Sequence, residues 1–279
     1  MSELLAAIAA GAKPLIGMVQ LRPLAGSSRH RAEPLAGVLE HALAQAATLV
    51  AAGFDWLMVQ NLGDLPVASQ AAPAQVAWMT RIAHEIRRTH GRPVGVNLLE
   101  NDAEAMFAVA SAADLDFVRI KVFVGAMLTP AGIEAGQAFA AVRARTAWGA
   151  DRVAIFADVH DRTGVPVATA GLADDVRTAF AIGGADGVVL TGRSHRETLD
   201  FLATARDAVP GRPVLVGGGV SAGTLCEIVR CADGAIVGSA LKTDGDLFGE
   251  IDPERARDFM LAAAHLRSKR SPAHANDGK

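Results

Sequence analysis

The sequence predicts an α/β fold, a single (β/α)8 TIM barrel with parallel strands. Three observations predict it. The 279 residues suffice for one such barrel, which typically needs about 250. Short apolar runs alternate with longer Ala-, Leu- and Arg-rich stretches at helical spacing, the pattern of parallel strands joined by right-handed crossovers. Polar side chains collect at the C-terminal ends of those runs, where barrels carry their chemistry.

The strand runs cover residues 14–21, 54–61, 93–99, 117–123, 153–160, 187–191, 213–217 and 234–239. Helical stretches between them include 36–52, 73–89, 134–147 and 198–208. Eight units close a barrel; an open doubly wound sheet is the alternative. Residues 4–10 read as a short helix plugging the barrel bottom. Pro14, Pro93 and Pro213 open strands, where a missing N–H does least harm. Gly53-Phe54-Asp55, Gly184-Ala185-Asp186-Gly187 and Ala232-Asp233-Gly234 read as tight helix-to-strand turns. Asp252-Pro253-Glu254 opens a last helix with Asp as N-cap. The barrel is expected to occupy 1–267, with a polar, disordered tail over 268–279.

Composition excludes several classes. The net charge of −3, the absence of tyrosine and only 5% aromatic residues give no footprint for nucleic acid. Cys226 and Cys231 fit neither a disulfide framework nor a zinc knuckle and read as reduced cytoplasmic thiols. No basic leader and no charge-free membrane span is apparent, so any membrane role is peripheral. Exposed Ala/Leu helix faces suit a homo-oligomer.

Alternation along the strands selects candidate site residues. In the fourth run Phe117, Arg119, Lys121 and Phe123 are expected to point inward; in the fifth, Ala154, Phe156, Asp158 and His160. Gln20 ends the first run, Gln60 or Asn61 the second, and Asn97 the third. Buried polar groups at one end of an apolar barrel bind a ligand or each other. Asp158 and His160 suit proton transfer or metal binding, with Asp64 as a third ligand. Arg119 fits equally a satisfied structural pair. Lys121 suits a carbonyl or enolate oxygen, or a Schiff base. Gly217-Gly218-Gly219-Val220-Ser221 and Gly238-Ser239, after the last two runs, read as an anion grip, with Ser221 capping the next helix. Thr191, Gly192, Arg193, His195 and Arg196 add donors, or form a solvated helix start.

Several segments resemble the BtpA/SgcQ family in order along the chain. They are Ile16-Gly17-Met18-Val19, Asn61-Leu62-Gly63-Asp64, Val94-Gly95-Val96-Asn97, Ile155-Phe156-Ala157-Asp158-Val159-His160 and Ala232-Asp233-Gly234-Ala235-Ile236-Val237-Gly238-Ser239. The resemblance implies a ribulose-phosphate-binding barrel. One branch of the family is linked to photosystem I biogenesis, as an extrinsic membrane-associated factor; another is encoded beside carbohydrate transport and metabolism genes. This chain departs from the family pattern at Gln20, where His is common, at Gln60, where Glu is common, and at Lys121, where Asn is common. Its first expected function is a lyase, aldolase or isomerase acting on a small phosphorylated sugar or ribosyl-type metabolite. The alternatives are a non-catalytic assembly or regulatory factor, and a nucleoside or nucleotide hydrolase. A divalent metal is an open option on Asp158, His160 and Asp64.

Overall fold

A computed structural model describes residues 2–268. In chain order the elements are α1 (Glu3–Ala9), β1 (Leu15–Gln20), α2 (Leu35–Ala52), β2 (Trp56–Gln60), α3 (Pro73–His90), β3 (Val94–Asn97), α4 (Ala103–Ala112) and β4 (Phe117–Ile120). Then follow β5 (Ala126–Thr129), β6 (Gly132–Ala135), α5 (Ala138–Ala147), β7 (Ala154–Asp158), β8 (Val165–Pro166), α6 (Leu172–Ala181) and β9 (Gly187–Leu190). The chain closes with α7 (His195–Ala208), β10 (Val214–Val216), α8 (Leu225–Cys231), β11 (Gly234–Val237) and α9 (Pro253–Ser268). Eight parallel strands form a closed barrel in the order β1-β11-β10-β9-β7-β4-β3-β2, which discards the open sheet.

Alternation splits the apolar residues into two cores. Ile16, Met18, Trp56, Met58, Phe117, Phe156, Val189, Leu215 and Ile236 fill the barrel. Their neighbours, among them Leu57, Val96, Val118 and Ile155, face the helices. The interior is too narrow for every strand to contribute a large group. A Cβ at Gly95 would lie 2.3 Å from the Phe117 ring, and one at Gly187 would lie 2.4 Å from that of Phe156. The plug is present: Leu4 is fully buried among the interior residues, with Leu5 and Ile8 packed beside it.

The helix-to-strand turns owe their aspartates to hydrogen bonding as much as to conformation. Asp55, Asp116 and Asp233 accept the first N–H of an adjoining strand, from Leu15, Val94 and Val214, and Asp186 accepts the second of β7, from Ile155, all at 2.8–2.9 Å. Asp252 Oδ1 accepts from the amides of Glu254 and Arg255, as an N-cap should.

Three expectations need correction. The fourth run ends at Ile120 rather than 123, so strand alternation fails beyond it and Phe123 packs outward, against the helices. The predicted 134–147 helix begins at Ala138, because 126–135 forms a hairpin that, with β8, makes a three-stranded antiparallel sheet over the barrel mouth. Ser221 does not cap α8: Thr224 directly precedes that helix, and Ser221 opens the turn before it, its carbonyl accepting from the amides of Thr224 and Leu225. The tail expected from 268 lies, beyond that residue, outside the described residues.

Candidate functional site

A cavity of about 560 Å³ opens at the C-terminal mouth of the barrel. Its floor is polar, because the last inward position of each strand is where sequence alternation runs out of apolar residues. Gln20, Gln60 and Asn97 end β1, β2 and β3 side by side and form a directed chain. Gln20 Nε2 donates to Gln60 Oε1 at 3.2 Å, Gln60 Nε2 to Asn97 Oδ1 at 2.6 Å, and Asn97 Nδ2 to the Arg119 carbonyl at 2.8 Å. Each amide nitrogen donates once along this relay, and Gln20 Oε1 at its head is buried without a partner among the described residues.

Next to it, Arg119 on β4 and Asp158 on β7 pair within the barrel. Arg119 Nε lies 3.1 and 3.0 Å from the two carboxylate oxygens, and Nη2 lies 3.0 Å from Oδ1. Gly217 supplies the room, since a Cβ there would sit 2.7 Å from Nη2. Burial pushes the Asp158 carboxyl up to about 7, against the pull of Arg119 and Lys121 and with a further push from Asp161. Lys121, just past β4, forms an ion pair with Glu134 on β6 at 3.7 Å. Both Glu134 oxygens are buried without a hydrogen-bond partner among the described residues.

The rim beyond β9, β10 and β11 is rich in donors. The Gly218 and Gly219 amides donate to no protein acceptor among the described residues. Gly219 has φ +70°, which a side chain would strain, and Arg162 reaches over Gly218 from the loop after β7. Ser239 starts a short 3-10 turn, whose first amides have no intrahelical partner. Thr191 Oγ1, on a residue only 3% exposed, has no partner among the described residues. All of these residues line the cavity.

The expected residues thus divide. Gln20, Gln60, Asn97, Lys121, Asp158, Thr191, Gly217, Gly218, Gly219, Gly238 and Ser239 come together around one cavity. His160 does not join them. The strand ends at Asp158, and His160 adopts φ +55°, so its ring turns outward and Nε2 lies 2.7 Å from Asp175 Oδ2 on α6. Asn61 and Asp64 are also displaced. They are buried behind the mouth, where Asn61 and Gln75 each bridge the carboxylates of Asp64 and Glu100, at 2.7–2.9 Å. Asp64 Oδ1 further holds the Leu24 amide, tying the loop after β1 to those after β2 and β3. The metal option on Asp158, His160 and Asp64 therefore loses its geometry, and no other cluster of three His, Cys, Asp or Glu suits a metal among the described residues. Gly192 is a packing glycine: a Cβ would lie 2.5 Å from the Thr198 amide. His195 pairs with Glu227, and neither it, Arg193 nor Arg196 lines the cavity.

Sequence reasoning missed Glu134, Arg162 and Asp161. The helical reading of 134–147 takes in Glu134, although Gly132 and Gly136 on either side of it signal a break. The other two follow Asp158 in a loop with no periodicity to orient them.

Similarity to known proteins agrees with this architecture. The chain is 38% identical to an uncharacterized protein of Thermococcus kodakarensis over 91% of this chain and 97% of that one. It is 37% identical to the photosystem I biogenesis protein BtpA of Synechocystis, covering 92% and 91%. Among solved structures, a Mycobacterium tuberculosis tryptophan synthase chain superposes with TM-score 0.59 at 19% identity, covering 95% and 99%. An N-(5'-phosphoribosyl)anthranilate isomerase from Pyrococcus furiosus gives 0.55 at 13%, covering 91% and 99%. At such identities these structures speak for the fold alone. The model of the BtpA family matches residues 11–265, nearly the whole described barrel, and the chain belongs to that family.

Proposed function

We propose that the protein is an enzyme acting on a small phosphorylated sugar or ribosyl-type metabolite, by enolisation next to a carbonyl. One observation carries the reading: unpaired amides at Gly218 and Gly219, the Arg162 guanidinium and the unpartnered Thr191 hydroxyl converge on one side of a cavity that Lys121 and Glu134 also line. Backbone amides and a guanidinium suit a phosphate. With the phosphate there, Glu134 accepts a proton from the carbon beside the carbonyl, while the Lys121 ammonium stabilises the enolate oxygen. For an isomerisation, Glu134 then returns the proton to the neighbouring carbon, as the hydroxyl proton of the enediolate passes to the former carbonyl oxygen, so that the C=O moves by one carbon. In a retro-aldol reaction the same ammonium steadies the enolate released by C–C cleavage. Asp158, clamped by Arg119, holds the floor rigid beneath them. His160 has no part in this scheme.

Calorimetry with inorganic phosphate and D-ribose 5-phosphate tests the anion site. Both bind the wild type, and Arg162→Ala weakens both by about tenfold, the worth of one charge-assisted hydrogen bond. Gly218→Asp removes binding. Deuterium uptake from D2O into ribose 5-phosphate and ribulose 5-phosphate, followed by NMR, tests the chemistry, with Glu134→Gln and Lys121→Met losing it. Absence of phosphate binding, or binding untouched by Gly218→Asp, sinks the proposal.

A second reading, a non-catalytic assembly factor, draws on the name of the Synechocystis relative and on Gln20 and Gln60, which leave two strand ends without a titratable group. Ligand binding with no deuterium uptake from any sugar phosphate would favour it.

A further inference from the structure

The two sides of the mouth differ in chemistry. In the barrel order, β9 and β10 stand opposite β2 and β3. The first side carries the Thr191 hydroxyl and the glycine amides. The loops after β2 and β3 present to the same cavity Leu62, Leu65, Pro66, Val67 and Leu99, and no polar side chain. Leu62 is buried, but Leu65, Val67 and Leu99 are only half-buried and Pro66 is exposed. Apolar side chains turned together into an open polar-floored cavity keep surface in water that a ligand would cover. The volume, about 560 Å³, lies within the range of sites that enclose a drug-sized ligand. A phosphosugar gripped by Gly218 and Gly219 would cover the floor, and the Leu65–Val67 wall would remain unfilled. Between the two sides Gln20 Oε1 offers an unpartnered acceptor, suited to a sugar hydroxyl.

We infer that the ligand is bipartite: a phosphorylated pentose-like sugar, carbonyl-bearing in its open form, whose end away from the phosphate carries an aromatic or otherwise apolar group, seated against the loops after β2 and β3. The inference rests on the phosphosugar reading above and adds a second subsite to it. The phosphate fixes one end by directed hydrogen bonds, while the wall selects the other end by burial alone. Flat, apolar groups are therefore distinguished from bare sugars and from charged substituents.

The test compares D-ribose 5-phosphate with the phenyl C-riboside 5-phosphate, which has no labile glycosidic bond, by calorimetry on the full chain. The phenyl compound is expected to bind at least tenfold more tightly. Val67→Asp and Leu65→Gln, both on the partly exposed loop, should each erase most of that gain and leave ribose 5-phosphate affinity within about twofold. That retained affinity also certifies that the variants are folded. Equal affinity of the two compounds for the wild type, or a gain that survives both substitutions, overturns the apolar subsite while the phosphosugar reading stands. Binding of neither compound overturns both.

Discussion

At the scale of single residues the site is governed by the cost of burying charge. Arg119 and Asp158 lie inside the barrel, where either charge alone would be expensive, and three close N–O contacts hold them together. The raised Asp158 pKa has a signed consequence. Its native value, about 7, exceeds the value near 3.8 expected of the unfolded chain, so the native state keeps a proton that the unfolded state releases. The associated stability is complete below about pH 4 and is lost as pH rises through about 7. Urea midpoints between about pH 4 and pH 8 should therefore fall more steeply in the wild type than in Asp158→Asn. Equal slopes would show that Asp158 is ionised throughout. Glu100 and Asp116, also raised by burial, contribute alike to both proteins and cancel from the comparison.

At the scale of elements, recurring aspartates set how strands enter the barrel. Each accepts an N–H at the N-terminal edge of a neighbour, where no strand partner reaches. Asp186 receives both the Ile155 amide and Arg145 Nη1, each at 2.8 Å. Asp186→Ala is expected to cost about 1–3 kcal/mol, the penalty for leaving a buried donor unsatisfied, read as a lower urea midpoint with an unchanged slope. The hairpin of β5 and β6 is the other element with consequences. It interrupts the β4-to-α5 crossover and carries Glu134 over the mouth. The two flanking glycines, Gly132 and Gly136, were the available signal, but a stretch beginning with Glu and rich in Ala satisfies helix propensity equally well.

At the scale of the whole molecule, stability depends on closure. β1 pairs with β11 as well as with β2, so the first and last barrel strands seal the sheet. A chain ending at Cys231 would expose the edges of β1 and β10 together with the barrel interior. It should run as aggregate on size exclusion, where the full chain runs as a discrete species. Closure also explains α2, the one helix among the described residues long and apolar enough to cross a membrane. Val38, Ala42, Ala46 and Leu49 on it are completely buried in the outer core, so its hydropathy serves barrel packing.

The sequence by itself determined the eight strands, their order of appearance and the rim that carries the cavity. These features repeat with short periods, and alternation assigns inside and outside wherever the strand continues. It therefore identified Arg119 and Asp158 as inward, placed Gln20 and Asn97 at strand ends with Gln60 and Asn61 as alternatives for the second, and put the glycines after β10 at the mouth. Only the tertiary structure decided what lies one or two residues beyond each strand. His160 departs through a left-handed turn, Asn61 and Asp64 retreat into a buried carboxylate–amide cluster, and Glu134 arrives from a hairpin. Beyond a strand end, side-chain direction is set by long-range hydrogen bonds and packing, which no local period encodes.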